Sequence, residues 1–301
     1  PKLALAAGLL LTGGALLTTL LTWREIPYLR QHAEQPDRFS VRKTLRELGQ
    51  ALQNRQFALM FLIVFTISAI AGTTANINIY MTTYFWGLTT EDLRWFSISA
   101  TGAVVAFPLV AGIQRRWDKK HIMIGAGIVS LVDGIILVNL RFLDVLPDNG
   151  DPLLLAILVG NGVFAAGVAV VLGIIFSSIV ADLLDDHELR TQLRQEGMFN
   201  AALSFSGKAV SGLGAVLGGL IITSIEFPTG VDPADIPADA LRRLGLIVGI
   251  ALPLLYLIPI AGATRYRITR ESHAEIRAAL DARQLALEQG STQPAESASS
   301  A

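Results

Sequence analysis

The sequence predicts an all-α membrane protein with seven transmembrane helices. Three observations carry that prediction. Of 301 residues, 52% are hydrophobic and 16% charged, whereas a soluble domain carries about a quarter charged residues. The apolar residues gather in seven long runs, each close to the roughly 20 residues that a helix needs to cross the hydrocarbon core. The segments between the runs alternate between rich and poor in Lys and Arg. Because the runs are continuous rather than alternating, they are helices and not barrel strands. In lipid a segment must satisfy its own backbone hydrogen bonds.

The first run, residues 3–22, follows directly on Pro1. It is too long for the core of a signal peptide, and no small-residue cleavage site follows it. Pro1 reads as an interior point of a longer protein, and residues 1–23 as one helix of it. Residues 24–56 form a connecting segment with Arg24, Arg30, Arg38, Arg42, Lys43, Arg46 and Arg55. Within it, Val41, Leu45, Leu48 and Leu52 recur at helical spacing, which predicts an amphipathic helix over 40–54 on the membrane surface. Residues 57–264 hold the other six runs, at 57–86, 95–113, 122–140, 153–181, 198–225 and 244–263. Residues 265–301 form a tail, with a solvated helix over 271–289 and a disordered end after 290.

The loops assign an orientation. Arg94 alone follows the second run, and Arg115, Arg116, Lys119 and Lys120 follow the third. Arg141 alone follows the fourth, and Arg190 and Arg194 the fifth. The segment after the sixth has no basic residue before Arg242 and Arg243 at the start of the last run, and carries Glu226, Asp232, Asp235 and Asp239. The tail opens with Arg265, Arg267 and Arg270. The excess of Lys and Arg on cytoplasmic loops places the tail in the cytoplasm and the start of the first run outside. Trp23, Trp86 and Trp95 fall at run ends, where indole rings favour the interface. Seven helices starting outside fit the sixth to twelfth spans of a twelve-helix parent made of two halves, with 24–56 as its central loop.

Several function classes are excluded. There is no cysteine, which removes disulfides and thiolate metal sites. His32, His121, His187 and His273 lie in polar segments or at run ends, without ligand spacing. No P-loop, nucleophile elbow or zinc motif is present, so no catalytic residue, metal or enzyme activity is expected. The net charge of −1 says little, because it averages a polarised distribution; no nucleic acid is expected among the partners.

The candidate functional residues are the polar ones inside apolar runs, because a charge in a membrane span is costly. Lys208 lies near the middle of the sixth run. It shares a helical stripe with Asn200, Ser204 and Ser211, which suits a polar cavity or a buried pair between helices. Asp182 and Asp185, at i and i+3, put two carboxylates on one face after the apolar stretch 174–181, with Asp186 and Glu188 close by. A lysine and carboxylates on neighbouring helices can exchange partners between conformations. Asn76, Tyr80, Thr83 and Tyr84 form a second stripe suited to a polyhydroxylated ligand or to hydrogen bonds between helices. Asp133 is also mid-run, as a structural pair or a proton site. Gly214 and Gly218 make a small-xxx-small pair for helix packing.

The stretch 181–208, ADLLDDHELRTQLRQEGMFNAALSFSGK, resembles the signature of the glycoside–pentoside–hexuronide:cation symporters, the melibiose-permease family of the major facilitator superfamily. The matching positions are Ala181, Asp182, Asp185, Glu188, Thr191, Arg194, Glu196, Gly197 and Lys208. RRWDKK at 115–120, YMTTYFWGL at 80–88 and YRITRESHAEIRAAL at 266–280 are similar to further stretches of the family. Asp186 stands where the family has Tyr, and Asp118 where many members have Gly. The resemblance implies a major facilitator type helical bundle working by alternating access in the inner membrane. It implies symport of a solute, expected to be a sugar or glycoside, with Na⁺ or H⁺ as the coupling cation and no other cofactor. It assigns coupling and gating to Lys208, Asp182, Asp185 and Arg194. The stripe Asn76, Tyr80, Thr83 and Tyr84, together with Ser204 of the Lys208 stripe, is the expected substrate wall. The expected partners are the solute, the cation, the bilayer and the N-terminal half of the same protein, which would hold the cation site. A symporter of lysolipids or other amphiphiles, or a non-transporting sensor on the same fold, are the alternative readings.

Overall fold

A computed structural model describes residues 2–23, 49, 52–53, 55–191, 196–228, 230–266 and 269–291. The chain divides into two compact units, Pro1–Arg46 and Glu47–Ala301. The secondary structure of the described residues is helical. The amphipathic helix expected over 40–54 falls mostly outside them, and the disordered end after 290 falls outside them except for Ser291.

The first unit contributes α1 (Lys2–Thr22). It has no charge after Lys2, and its hydroxyls stay on its own backbone. Thr18 donates to the carbonyl of Gly14 at 2.8 Å, Thr19 to Ala15 at 2.9 Å and Thr22 to Thr18 at 2.8 Å. Hydroxyls bonded this way are the form in which Thr is tolerated in lipid.

The second unit is a bundle. α2 (Arg55–Tyr80) runs on into a π-helical turn, Met81–Phe85. After Gly87, whose positive φ of 61° reverses the chain, Thr89 and Asp92 cap each other reciprocally. The chain then passes through a 3-10 segment, Arg94–Ser99, into α3 (Ala100–Arg116). α4 is Lys119–Phe142, α5 Pro152–Thr191, α6 Glu196–Ser224 and α7 Ala238–Leu246. A second π-helical turn, Ile247–Ala251, leads through Leu252–Leu254 to α8 (Leu257–Thr264). The tail helix α9 is Arg270–Ser291. Among the described residues, five helical segments are long and apolar enough to cross a membrane: Arg55–Phe85, Thr90–Arg116, Lys119–Phe142, Pro152–Leu189 and Ala238–Thr264. Gly8–Thr22 within α1 and Gly212–Ser224 within α6 are shorter apolar stretches.

Two local features follow directly from sequence. Pro253 has no N–H, so the carbonyl four residues earlier, on Gly249, loses its helical donor. Asn139 of α4 fills the gap, its Nδ2 donating to Gly249 O at 3.0 Å. The second feature is the length of α5. The apolar run predicts an end near 181, but the helix continues to Thr191. No Gly or Pro lies between 174 and 191, and the Leu- and Glu-containing stretch there favours helix. The acidic residues therefore sit on the body of α5 rather than in a loop.

Helices in lipid associate through packing rather than apolar burial, so small residues set their approach. α6 packs along α2, and α3 along α5. A Cβ added at Gly214 of α6 would stand 2.7 Å from the backbone of Gly72 and Thr73 on α2. One added at Gly102 of α3 would stand 1.9 Å from the carbonyl oxygen of Val163 on α5. One buried cluster includes Phe57, Met60, Ile175, Ile179, Leu183 and Tyr266, and another Ile77, Met81, Phe85, Leu154, Ile222 and Leu244.

Candidate functional site

At the basic end of the bundle, α5 carries two of its carboxylates into contact with two other helices, α4 and α9. Asp182 is 5% exposed. Lys119, the first residue of α4, donates to both of its oxygens at 2.7 Å. His273 of α9 reaches Asp182 Oδ1 at 3.3 Å and Asp185 Oδ2 at 3.1 Å with the same Nε2. Arg277, one turn further along α9, stands 3.6 Å from Asp185 Oδ2. The i, i+3 spacing places both carboxylates on one face of α5, and α9 lies along that face. A cavity of about 500 Å³ adjoins them, lined by Lys119, Asp182, Thr269, Arg270 and His273 among others.

The surrounding segments are tied by capping. Arg270 donates to the carbonyls of Trp117 at 3.4 Å and Arg115 at 3.5 Å, and also to that of Gln114. These are among the last carbonyls of α3, which lack helical donors. The guanidinium of Arg270 also lies 3.9 Å from Asp118. Lys120 donates to Thr264 O, at the end of α8, at 2.6 Å, where a cation suits the negative helix terminus. Tyr266 is 1% exposed, and its hydroxyl has no hydrogen-bond partner among the described residues. Burial first, and then the negative charges of Asp182 and Asp186, push its phenol well above the ordinary tyrosine range.

This arrangement is an electrostatic clasp. Two acidic groups on one helix hold cations from α4 and α9, while Arg270 and Lys120 close the helix ends around them. Removing one partner of a buried ion pair leaves an uncompensated charge, which is costly.

Of the other predicted coupling residues, the described residues include Lys208, which is not part of this cluster. Lys208 is exposed on α6 and pairs with none of the described carboxylates. Asn200 and Ser204 of its stripe are exposed as well, and the Ser211 side chain lies outside the described residues. The glycine face of α6 explains this placement. Gly214 is buried against α2, and six residues at about 100° each put Lys208 about 120° away around the helix. Arg194 lies outside the described residues.

The stripe on α2 is present but is partly occupied by packing. Asn76 Nδ2 donates to Gly72 O at 2.9 Å, and its Cβ adjoins Gly218 of α6. Tyr80 and Tyr84 stack with ring centroids 6.1 Å apart, and Phe227 meets them edge-on at 5.6 and 5.4 Å. Thr83, half-buried, lies in the π-helical turn, which shifts it from the register that an uninterrupted α-helix assigns.

Sequence reasoning missed Lys119, His273, Arg277 and Phe227 as partners. Lys119 was visible only as one of four basic residues, and His273 only as a polar-segment histidine. Their pairing spans 63 and 88 residues of chain, a separation that no local pattern records.

The family described as MFS/sugar transport protein matches residues 3–270 of this chain. An uncharacterized symporter of Synechocystis sp. is 27% identical over 246 residues, covering 80% of this chain and 43% of that protein. The chain thus spans less than half the length of this curated relative.

Proposed function

Since the chain belongs to the MFS/sugar transport protein family, the multi-pass transport family that the stretch 181–208 points to and not an enzyme family, we propose that it is part of a cation-coupled solute symporter. The solute is a sugar or glycoside, the coupling ion Na⁺ or H⁺, and the location the inner membrane with the tail in the cytoplasm. The 301 residues are the sixth to twelfth spans of a twelve-helix protein, in keeping with the 43% of the relative that they cover. That the relative is itself described as a symporter supports the same reading.

The single observation that carries the mechanism is the clasp of Asp182 and Asp185 with Lys119, His273 and Arg277. It holds the basic, cytoplasmic end of the bundle shut. Alternating access requires an element with two discrete arrangements, and a buried ion cluster that opens by partner exchange is one. Lys208, exposed on α6, faces the half of the cavity supplied by the rest of the protein and acts as an electrostatic coupler. Arg194 provides an exchange partner for the α5 carboxylates. Asn76, Tyr80, Thr83, Tyr84 and Ser204 stand along the substrate path.

The test is uptake by the full-length protein in proteoliposomes, with galactosides, pentosides and hexuronides, under imposed Na⁺ or H⁺ gradients. Gradient-driven accumulation of one of them supports the proposal and names solute and ion. Absence of accumulation under both gradients rejects it.

A further inference from the structure

Asp133 has no place in the clasp or in either predicted stripe. It is the fifteenth of 24 residues of α4, about 21 Å from the helix start at about 1.5 Å per residue. It borders an open cavity of about 550 Å³ lined by α2, α4, α5 and the segment from Val248 to Tyr256. Volumes of about 300–1,000 Å³ are typical of small-molecule sites. The polar side chains lining the cavity are Ser68, Thr74, Ser130, Asp133 and Tyr256. Asn161, on α5, is a polar side chain of a neighbouring helix that lies near the Asp133 carboxylate. Among the described residues no Lys, Arg or His pairs with Asp133.

The chemistry of this lining restricts its ligand. A sugar presents a hydroxyl on most carbons and leaves each unsatisfied against apolar walls, and most of this wall is Val, Ile, Leu, Ala and Phe. A bare metal ion needs about six oxygen ligands, and the described residues hold no cluster suited to a metal. An ionised carboxylate at membrane depth is costly and is stabilised by a positive partner. The aromatic faces of Phe176 and Tyr256 in the same wall attract cations.

We propose that this cavity binds a monovalent organic cation with an apolar body, with Asp133 as its counter-ion. The inference rests on the transporter reading only for whether the ligand crosses the membrane, since binding to the cavity is independent of uptake.

Equilibrium dialysis of tetraphenylphosphonium against the full-length protein in nanodiscs tests it. The expected result is one saturable site per protein, weakened at least tenfold by Asp133→Asn. Tetraphenylborate, of the same shape and opposite charge, should show no saturable binding. Ala169→Leu places bulk in the exposed part of the cavity wall without touching the carboxylate and should also weaken the site, which keeps the test decisive if Asp133→Asn does not fold. Equal binding by wild type and Asp133→Asn, equal binding of borate and phosphonium, or the absence of a saturable site overturns the proposal. Binding without uptake of any solute leaves this site standing and counts against the symporter reading alone.

Discussion

Lys119 Nζ stands 2.7 Å from both carboxylate oxygens of Asp182, across 63 residues of chain. Lys119 is the residue at which α4 begins, and Asp182 is buried on α5, so the contact joins the start of one helix to the flank of another. His273 approaches the same carboxylate from the tail helix.

Removing one partner leaves Asp182 buried with a weaker counter-charge. Breaking a buried pair costs about 3–5 kcal/mol, and Lys119→Met should fall at the lower end because Lys119 is 31% exposed and His273 remains in reach. Thermal unfolding of the purified protein should show a clear loss for Lys119→Met and a smaller one for Lys119→Met combined with Asp182→Leu. A double variant less stable than the single would refute the pairing argument.

Lys208→Ala should abolish cation-coupled uptake while leaving membrane insertion intact, since Lys208 supports no packing on α6. Uptake in proteoliposomes, alongside the amount of inserted protein, checks both halves of the statement. Normal accumulation removes Lys208 from coupling.

The glycines of α6 divide sharply. Gly214→Ala meets the α2 backbone at 2.7 Å and should destabilise by about 1–3 kcal/mol, the range for overpacking. Gly219→Ala, with nothing within 4 Å of the new atom, should be neutral or slightly stabilising, as Ala favours helix over Gly by about 1 kcal/mol. Chemical unfolding of the two variants side by side distinguishes them. Equal effects would mean that α6 does not pack on α2 through Gly214.

Tyr266 links burial to pH. Its folded pKa lies above the unfolded value of about 10. The folded state therefore keeps a proton that the unfolded chain releases, and the associated stability, fully present below pH about 10, declines as pH rises toward the folded pKa. Tyr266→Phe should remove that alkaline decline. At neutral pH it should be neutral or stabilising, because it deletes a buried hydroxyl without a partner among the described residues. Unfolding midpoints from pH 7 to 11 for both forms decide the matter. Identical slopes would place Tyr266 in water.

Much of the architecture was legible in the apolar runs, because a helix in lipid is specified by about 20 consecutive apolar residues and needs no distant contact. The pair Gly214 and Gly218 announced its packing role for the same local reason. Asp182 and Asp185 were legible as a shared helix face, and the stretch 181–208 as a family signature. The end of α5 was misjudged because apolarity stops at Ala181 while helix propensity does not. The register of Thr83 was lost to a π-helical turn that no residue type announces.

By itself, then, the sequence determined a helical membrane protein, its family and the shared helix face of Asp182 and Asp185, since these depend on composition and on spacing within one helix. Only the tertiary structure decided which cations meet Asp182 and Asp185, that Phe227 closes on Tyr80 and Tyr84, and that Asp133 borders a cavity. Each of those features joins segments distant in the chain, and the spacing of the helices is set by how closely the backbones can approach at Gly102, Gly214 and Gly218.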